Sequence, residues 1–264
     1  MSESQKRALI FDLDDTLIVD EAVSRETFQN VAENTVKFGA SPDKFIRDAQ
    51  AAAKQLWKES SSYTYCRSIG ISPYECLWGD FAPDSPDLEA LGIWAKNFRV
   101  KVFDTALRAQ MIDSPAGGEE LAKKFEEARR KLQRLMPDAV EVLTTLSQSY
   151  RIGMLTNGAP SLQREKIAYS GLAPFFKYIA VSGEHGVGKP QAEIFNIVCS
   201  ELEVSPDAAV MIGNSLERDI QGAKNAGITS VWMQVPGAEE PADIEPDFTI
   251  KSLSELPALL EKLG

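Results

Sequence analysis

The stretch Ala8-Leu9-Ile10-Phe11-Asp12-Leu13-Asp14-Asp15-Thr16-Leu17 decides the fold. Its first four residues form a short apolar run bounded by polar residues, the pattern of a buried strand. Asp12 and Asp14 follow at a spacing of two. In extended backbone that spacing points both side chains the same way, toward one pocket just beyond the strand end. Carboxylates in such a place need partners, because an unpaired buried charge is costly. A divalent cation would offset that cost, since hard ions such as Mg2+ prefer oxygen ligands. The plain alternative is a strand that ends in a solvated acidic turn, and the downstream chain decides between the two.

From Glu21 to about Arg134 the pattern changes to helices. Val23, Phe28, Val31, Val36 and Phe38 lie in one helical segment that breaks at 39–42. Phe45, Ala49, Ala52, Ala53 and Leu56 mark a second, 73–78 reads as a short third, and Leu88, Leu91, Trp94, Phe98, Val102 and Leu107 mark a long fourth that ends near Asp113. The break at 114–118 precedes a charged helix, 119–134, whose Glu and Lys/Arg residues read as a solvated face with some i,i+4 pairs. Trp57, Trp78 and Trp94, with Tyr63, Tyr65 and Phe81, read first as packing residues and only second as pocket lining. Arg67 reads as a surface residue.

Beyond Pro137 helix and strand alternate. Helices are expected at 139–146, 160–170, 190–202, 216–226 and 253–263, and strands at 152–155, 178–181, 209–212, 229–233 and 248–250. Such alternation predicts an α/β fold, a doubly wound, Rossmann-like parallel sheet with helices on both faces. The helical region is then an insert after the first strand. The expected division is a core of 1–19 and 135–264, and an insert of 20–134.

Composition narrows the function classes. The chain has 264 residues, 44% of them hydrophobic, and a net charge of −11. That charge argues against nucleic acid or an anionic membrane as partner. Three cysteines, Cys66, Cys76 and Cys199, show no Cys-x-x-Cys spacing and read as reduced thiols. A single histidine, His185, excludes a zinc site that needs two. The opening residues 1–7 lack an apolar signal segment, and no run approaches the ~20 apolar residues that span a bilayer. The expectation is a cytoplasmic protein.

Ligands of open parallel sheets bind beyond the carboxyl ends of the strands, so those ends are where chemistry is sought. The strand at 152–155 ends in Thr156-Asn157-Gly158. A threonine hydroxyl and the following amides can hold phosphate oxygens, although Asn-Gly is also an ordinary turn pair. The next strand end carries Gly183 to Lys189 with the Gly-x-x-x-x-Gly-Lys spacing of a P-loop, but Pro190 stands where that loop needs Ser or Thr. Lys189 is better read as a point charge at a phosphate, and His185 as a loop residue without a catalytic role. The fourth end is Gly213-Asn214-Ser215-Leu216-Glu217-Arg218-Asp219. Asn214 and Asp219 offer oxygens to a hard cation, and Asp219 could instead orient Lys189. Helix capping by Asn214 or Ser215 is compatible with either.

Four polar clusters at four strand ends, in this order, resemble the haloacid dehalogenase-like hydrolases. Asp12, Asp14 and Thr16 fill the first motif, Asp-x-Asp-x-Thr; Thr156 matches the second, Lys189 the third, and Asn214 with Asp219 the fourth. The runs Lys189-Pro190…Ile194-Phe195 and Gly213-Asn214…Ala226-Gly227 are similar as well, so the resemblance spans 6 to about 250. It implies that the insert is a helical cap of the first cap class. It also implies a Mg2+-dependent phosphatase for small phosphorylated metabolites, working through an aspartyl-phosphate.

In that reading Asp12 is the nucleophile, and Asp14 is the general acid and later the base, so Asp14 is expected to start protonated, with a raised pKa. Thr156, the Asn157 amide and Lys189 hold the phosphoryl oxygens. Asp12, the Asp14 carbonyl and Asn214 or Asp219 hold Mg2+. The first position of the fourth motif is often Asp and here is Asn214, one negative charge fewer, which weakens cation binding. The same resemblance admits a 2-haloacid dehalogenase, a phosphomutase or a non-catalytic ligand-binding homologue. Asp14 argues against the dehalogenase, whose chemistry needs no acid two residues on. The sequence leaves the oligomeric state open.

Overall fold

The computed structural model describes residues 8–114, 116–235 and 243–263. Residues 1–7, read above for a signal segment, and Pro115 in the break at 114–118 lie outside the described residues. In chain order the elements are β1 (Ala8–Phe11), α1 (Glu21–Glu33), α2 (Pro42–Lys58), α3 (Tyr63–Ile69), α4 (Pro86–Arg108), α5 (Gly117–Lys131), α6 (Ala139–Leu146), β2 (Arg151–Thr156), α7 (Pro160–Ser170), β3 (Tyr178–Val181), α8 (Ser182–His185), α9 (Ala192–Glu201), β4 (Ala209–Gly213), α10 (Gln221–Asn225), β5 (Thr229–Met233), β6 (Phe248–Ile250) and α11 (Leu256–Lys262).

All six strands are parallel, in the order β3-β2-β1-β4-β5-β6. β1 is central, between β2 and β4, and its four residues are all buried. A parallel strand is covered on both faces, which is why it reads as an unbroken apolar run. Leu9 and Phe11 pack into one cluster with Val142, Leu143 and Leu146 of α6 and Leu256 and Leu260 of α11. Ala8 and Ile10 face the other way, with Ile194, Phe195 and Val198 of α9. Helices therefore lie on both faces. Each fully buried Leu, Ile or Phe contributes about 1.5–3 kcal/mol relative to exposure. The strand order reverses at β1, and that places the binding crevice of such a sheet at its carboxyl end.

The chain divides into two compact units. One holds the chain through Val19, then Arg134–Asn157 and Gln163 onward. The other holds Asp20–Gln133 and Gly158–Leu162. Within the first unit, entry and exit of the insert pair with each other: Val19 N donates to Arg134 O at 3.0 Å and Met136 N to Leu17 O at 2.9 Å. Within the second, α1, α2, α4 and α5 close around Phe28, Phe45, Phe103 and Phe125. Ser161 at the start of α7 joins this unit, donating to Asp80 O at 2.5 Å and accepting from Ala82 N at 3.2 Å.

Several elements differ from the sequence expectation, each for a local reason. The helix expected through Phe38 stops at Glu33; Val36–Phe38 is a 3-10 turn that closes on Gly39 at φ 82°. The third helix is not at 73–78, where only the turn Glu75–Leu77 forms, but at Tyr63–Ile69. That segment is polar and β-branched, so its propensity is weak, and burial of Cys66 and Ile69 at a spacing of three holds it. α5 is not wholly a solvated face. Arg129 is buried, ion-paired with Asp20 and 4.6 Å from the Trp78 ring centroid. His185 lies in the one-turn helix α8 and not in a loop. α9 starts at Ala192, after a turn in which Gln191 N donates to Gly188 O at 3.0 Å. The helix expected at 216–226 is a π-helical turn, Leu216–Ile220, that runs into α10. Among the described residues no helix is long and apolar enough to cross a membrane.

Candidate active site

β1 ends at Phe11, yet Asp12 stays docked on the sheet because its N–H donates to Ile212 O of β4 at 2.9 Å. Beyond it the chain coils. Leu13 O accepts from Leu17 N at 2.8 Å and Ile18 N at 3.0 Å, and Asp15 takes a φ of 56°. Asp12 and Asp14 lie just beyond β1, and their carboxylates engage different partners.

Asp12, 6% exposed, accepts from Lys189 Nζ at 2.6 Å through Oδ1. The same ammonium lies 2.7 Å from Asp219 Oδ1 and donates to Leu155 O at 2.9 Å. The loop is built to deliver it. Asn157 clamps the Lys189 backbone from both sides, Oδ1 accepting from Lys189 N and Nδ2 donating to Lys189 O, each at 2.9 Å. A side chain at Gly188 would bring a Cβ within 2.8 Å of that Asn157 oxygen. Asp219 is anchored in turn, its Oδ2 accepting from Ser215 N at 2.9 Å. It fits there because β4 ends in glycine; a Cβ on Gly213 would stand 2.3 Å from Asp219 Oδ2. Asn214 lies beside this loop, its carbonyl accepting from Trp232 Nε1 at 2.9 Å.

Two buried carboxylates share one ammonium, so the group carries an excess negative charge. Burial pushes the Asp12 carboxyl up; Lys189 opposes this and Asp219 adds to it, and the balance lies at about 6. Burial works against the Lys189 charge, but Asp12 and Asp219 outweigh it and hold that pKa above its ordinary value.

Asp14 faces α7. Its Oδ1 accepts from Lys166 Nζ and its Oδ2 from Gln163 Nε2, both at 2.9 Å. Gln163 Nε2 also donates to Thr156 Oγ1 at 2.6 Å. Gln163 and Lys166 were not singled out from the sequence. The available signal was a polar pair at a spacing of three, flanked by Leu162 and Ile167 in the buried stripe of a helix.

The structure brings together the carboxylates of Asp12 and Asp219 around Lys189; with the Asp14 carbonyl and the Asn214 amide expected from the sequence, these would make an oxygen set suited to a hard cation. The excess negative charge at Asp12 and Asp219 fits one as well. Among the described residues no three His, Cys, Asp or Glu side chains gather as a preformed metal cage. In the proposed set, one ligand is a main-chain carbonyl and another a neutral amide. The second unit has a cavity of about 380 Å³ of its own, lined among others by Phe81, Pro83, Glu89, Ile93 and Lys96. Of the aromatics named from sequence, Trp57 and Trp78 are buried packing residues, and Phe81 lines this cavity.

The family model of the haloacid dehalogenase-like hydrolases matches residues 6–227. A phosphoserine phosphatase of Thermus thermophilus is 35% identical over 251 residues, covering 95% of this chain and 97% of its own length. The N-acylneuraminate-9-phosphatase of Homo sapiens is 29% identical, covering 100% of this chain and 97% of its own. Among solved structures, the putative HAD-hydrolase YfnB of Bacillus subtilis, bound to magnesium, superposes with a TM-score of 0.66 at 24% identity, covering 97% of this chain and 99% of its own. That likeness bears on the fold.

Proposed function

The chain belongs to the haloacid dehalogenase-like hydrolases, and from that premise we propose that it hydrolyses small phosphorylated metabolites through an aspartyl-phosphate on Asp12. One observation carries the reading: a nearly buried carboxylate at the end of the central strand, held at 2.6 Å by the Lys189 ammonium that Asp219 also engages. A carboxylate so fixed has one orientation available, which is what in-line attack needs.

In the first half-reaction an Asp12 oxygen bonds to phosphorus and the ester P–O bond breaks. The leaving alkoxide takes a proton from Asp14. In the second, water attacks phosphorus, Asp14 takes its proton, and the bond from phosphorus to Asp12 breaks to release inorganic phosphate. Thr156, the Asn157 amide and Lys189 hold the phosphoryl oxygens. Gln163 donates to Thr156 Oγ1, which leaves the threonine proton free for a phosphoryl oxygen. Asp12, the Asp14 carbonyl, Asn214 and Asp219 would hold Mg2+, which supplies charge neutralisation at the phosphoryl group when bound.

The phosphatase-named relatives support this activity, and their names span an amino-acid phosphate and a sugar-acid phosphate. The substrate class proposed is therefore small phosphate monoesters. A screen over p-nitrophenyl phosphate and a metabolite panel tests it. Phosphate release should need Mg2+, stop in chelator, and fall by about 10³-fold or more in Asp12→Asn. Turnover of 2-chloropropionate in chelator, with no phosphatase activity, would assign the chain to the dehalogenases instead.

A further inference from the structure

We propose that Gln163 and Lys166 are positioning residues that aim the Asp14 carboxyl and set its distance from the phosphoryl cradle. The proposal rests on the phosphatase reading above, because it is Asp14's part in that reaction that it explains.

Three features carry it. First, both Asp14 oxygens are used: Oδ1 accepts from Lys166 and Oδ2 from Gln163, each at 2.9 Å. Second, the two donors are buried while their acceptor is not. Lys166 is 1% exposed and Gln163 0%, whereas the Asp14 side chain is 26% exposed. A lysine is almost never fully buried without a specific partner, and this one is ion-paired with a partly exposed carboxylate. Third, the Gln163 amide bridges. Its nitrogen donates to Thr156 Oγ1 at 2.6 Å as well as to Asp14. The amide cannot turn over, because its oxygen would then face the Asp14 carboxylate. That oxygen is buried with no hydrogen-bond partner among the described residues. The orientation is thus kept at the expense of an unsatisfied acceptor, which points to the donor side as the one that matters.

Positions 163 and 166 are three apart on α7 and so share one helix face. That face fixes Asp14 relative to Thr156, the residue at the end of β2 that holds a phosphoryl oxygen in the proposed reaction. Asp14 sits on a coiled turn after β1, where the backbone alone leaves its side chain several rotamers. Two donors reduce these to one, and orientation of this kind is worth about one to two orders of magnitude in rate.

The test exploits the leaving group. kcat/KM reports only steps through formation of the aspartyl-phosphate. Departure of an alkyl alcohol needs a proton from Asp14; departure of p-nitrophenolate does not. In Lys166→Met, kcat/KM for an alkyl monophosphate should fall about 10- to 100-fold more than for p-nitrophenyl phosphate. That selectivity should be a weaker copy of the one in Asp14→Asn, and Lys166→Arg should recover much of it. Gln163→Leu should show the same selectivity plus a rise in KM for both substrates, since Thr156 loses its donor. It also keeps the test open if Lys166→Met does not fold. Equal losses on both substrates in these variants would overturn the proposal and leave the phosphatase reading intact. A wild-type protein that turns over neither substrate with Mg2+ would overturn both.

Discussion

Asp12 is a residue whose charge the fold accommodates poorly. It is nearly buried, it shares its ammonium with Asp219, and its pKa rises from the ordinary carboxylate value of 3.8 to about 6. The folded state then binds a proton that the unfolded state has already lost between these two values. Stability attributable to this group is present below about pH 4 and is lost as pH rises through about 6. Asp12→Asn removes the titration and serves as reference. In chelator, the stability of wild type minus that of Asp12→Asn should decrease by about 3 kcal/mol from pH 4 to 7, then level off. Chemical denaturation at a series of pH values measures it, and a flat or rising difference would show that Asp12 is not under-neutralised.

At the scale of elements, the site is made by strand ends whose glycines let other groups come close. Gly213 ends β4 with Asp219 Oδ2 standing 2.3 Å from where a Cβ would be. Gly213→Ala should displace the Asp219 carboxylate, destabilise the fold by about 1–3 kcal/mol, and lower kcat/KM for phosphate monoesters by at least tenfold. Unchanged activity in a folded variant would separate Asp219 from the site. The sheet elements were legible in the sequence because strands buried on both faces leave unbroken apolar runs, such as Ala8–Phe11 and Ala209–Gly213. The insert was less so. α3 has weak propensity and is held by the packing of Cys66 and Ile69, and the buried Arg129 sits in a run that looks solvated. For the candidate site, the partners of each carboxylate were the part not legible. Asp12 and Asp14 are two residues apart, yet one carboxylate takes Lys189 and the other Lys166 with Gln163. The partners of Asp14 then come from a helix whose polar pair carries no motif.

Taken as a whole, the molecule carries a net charge of −11 and brings two buried carboxylates, Asp12 and Asp219, together beyond the ends of β1 and β4. A divalent cation bound there should stabilise the native state by mass action, about 2.7 kcal/mol at a concentration 100 times its Kd. Thermal denaturation with and without Mg2+ should show this gain for wild type and little of it for Asp12→Asn. The gain should shrink as pH falls through about 6, because a proton on Asp12 competes with the cation. Equal shifts in both proteins would place the cation elsewhere.

The most direct measurement is capture of the covalent intermediate. Wild-type protein mixed with substrate and Mg2+, quenched in acid within a turnover and reduced with borohydride, should carry homoserine at Asp12 alone, found by peptide mass spectrometry. Steady turnover with no modified Asp12, or with the label on another carboxylate, would contradict the account.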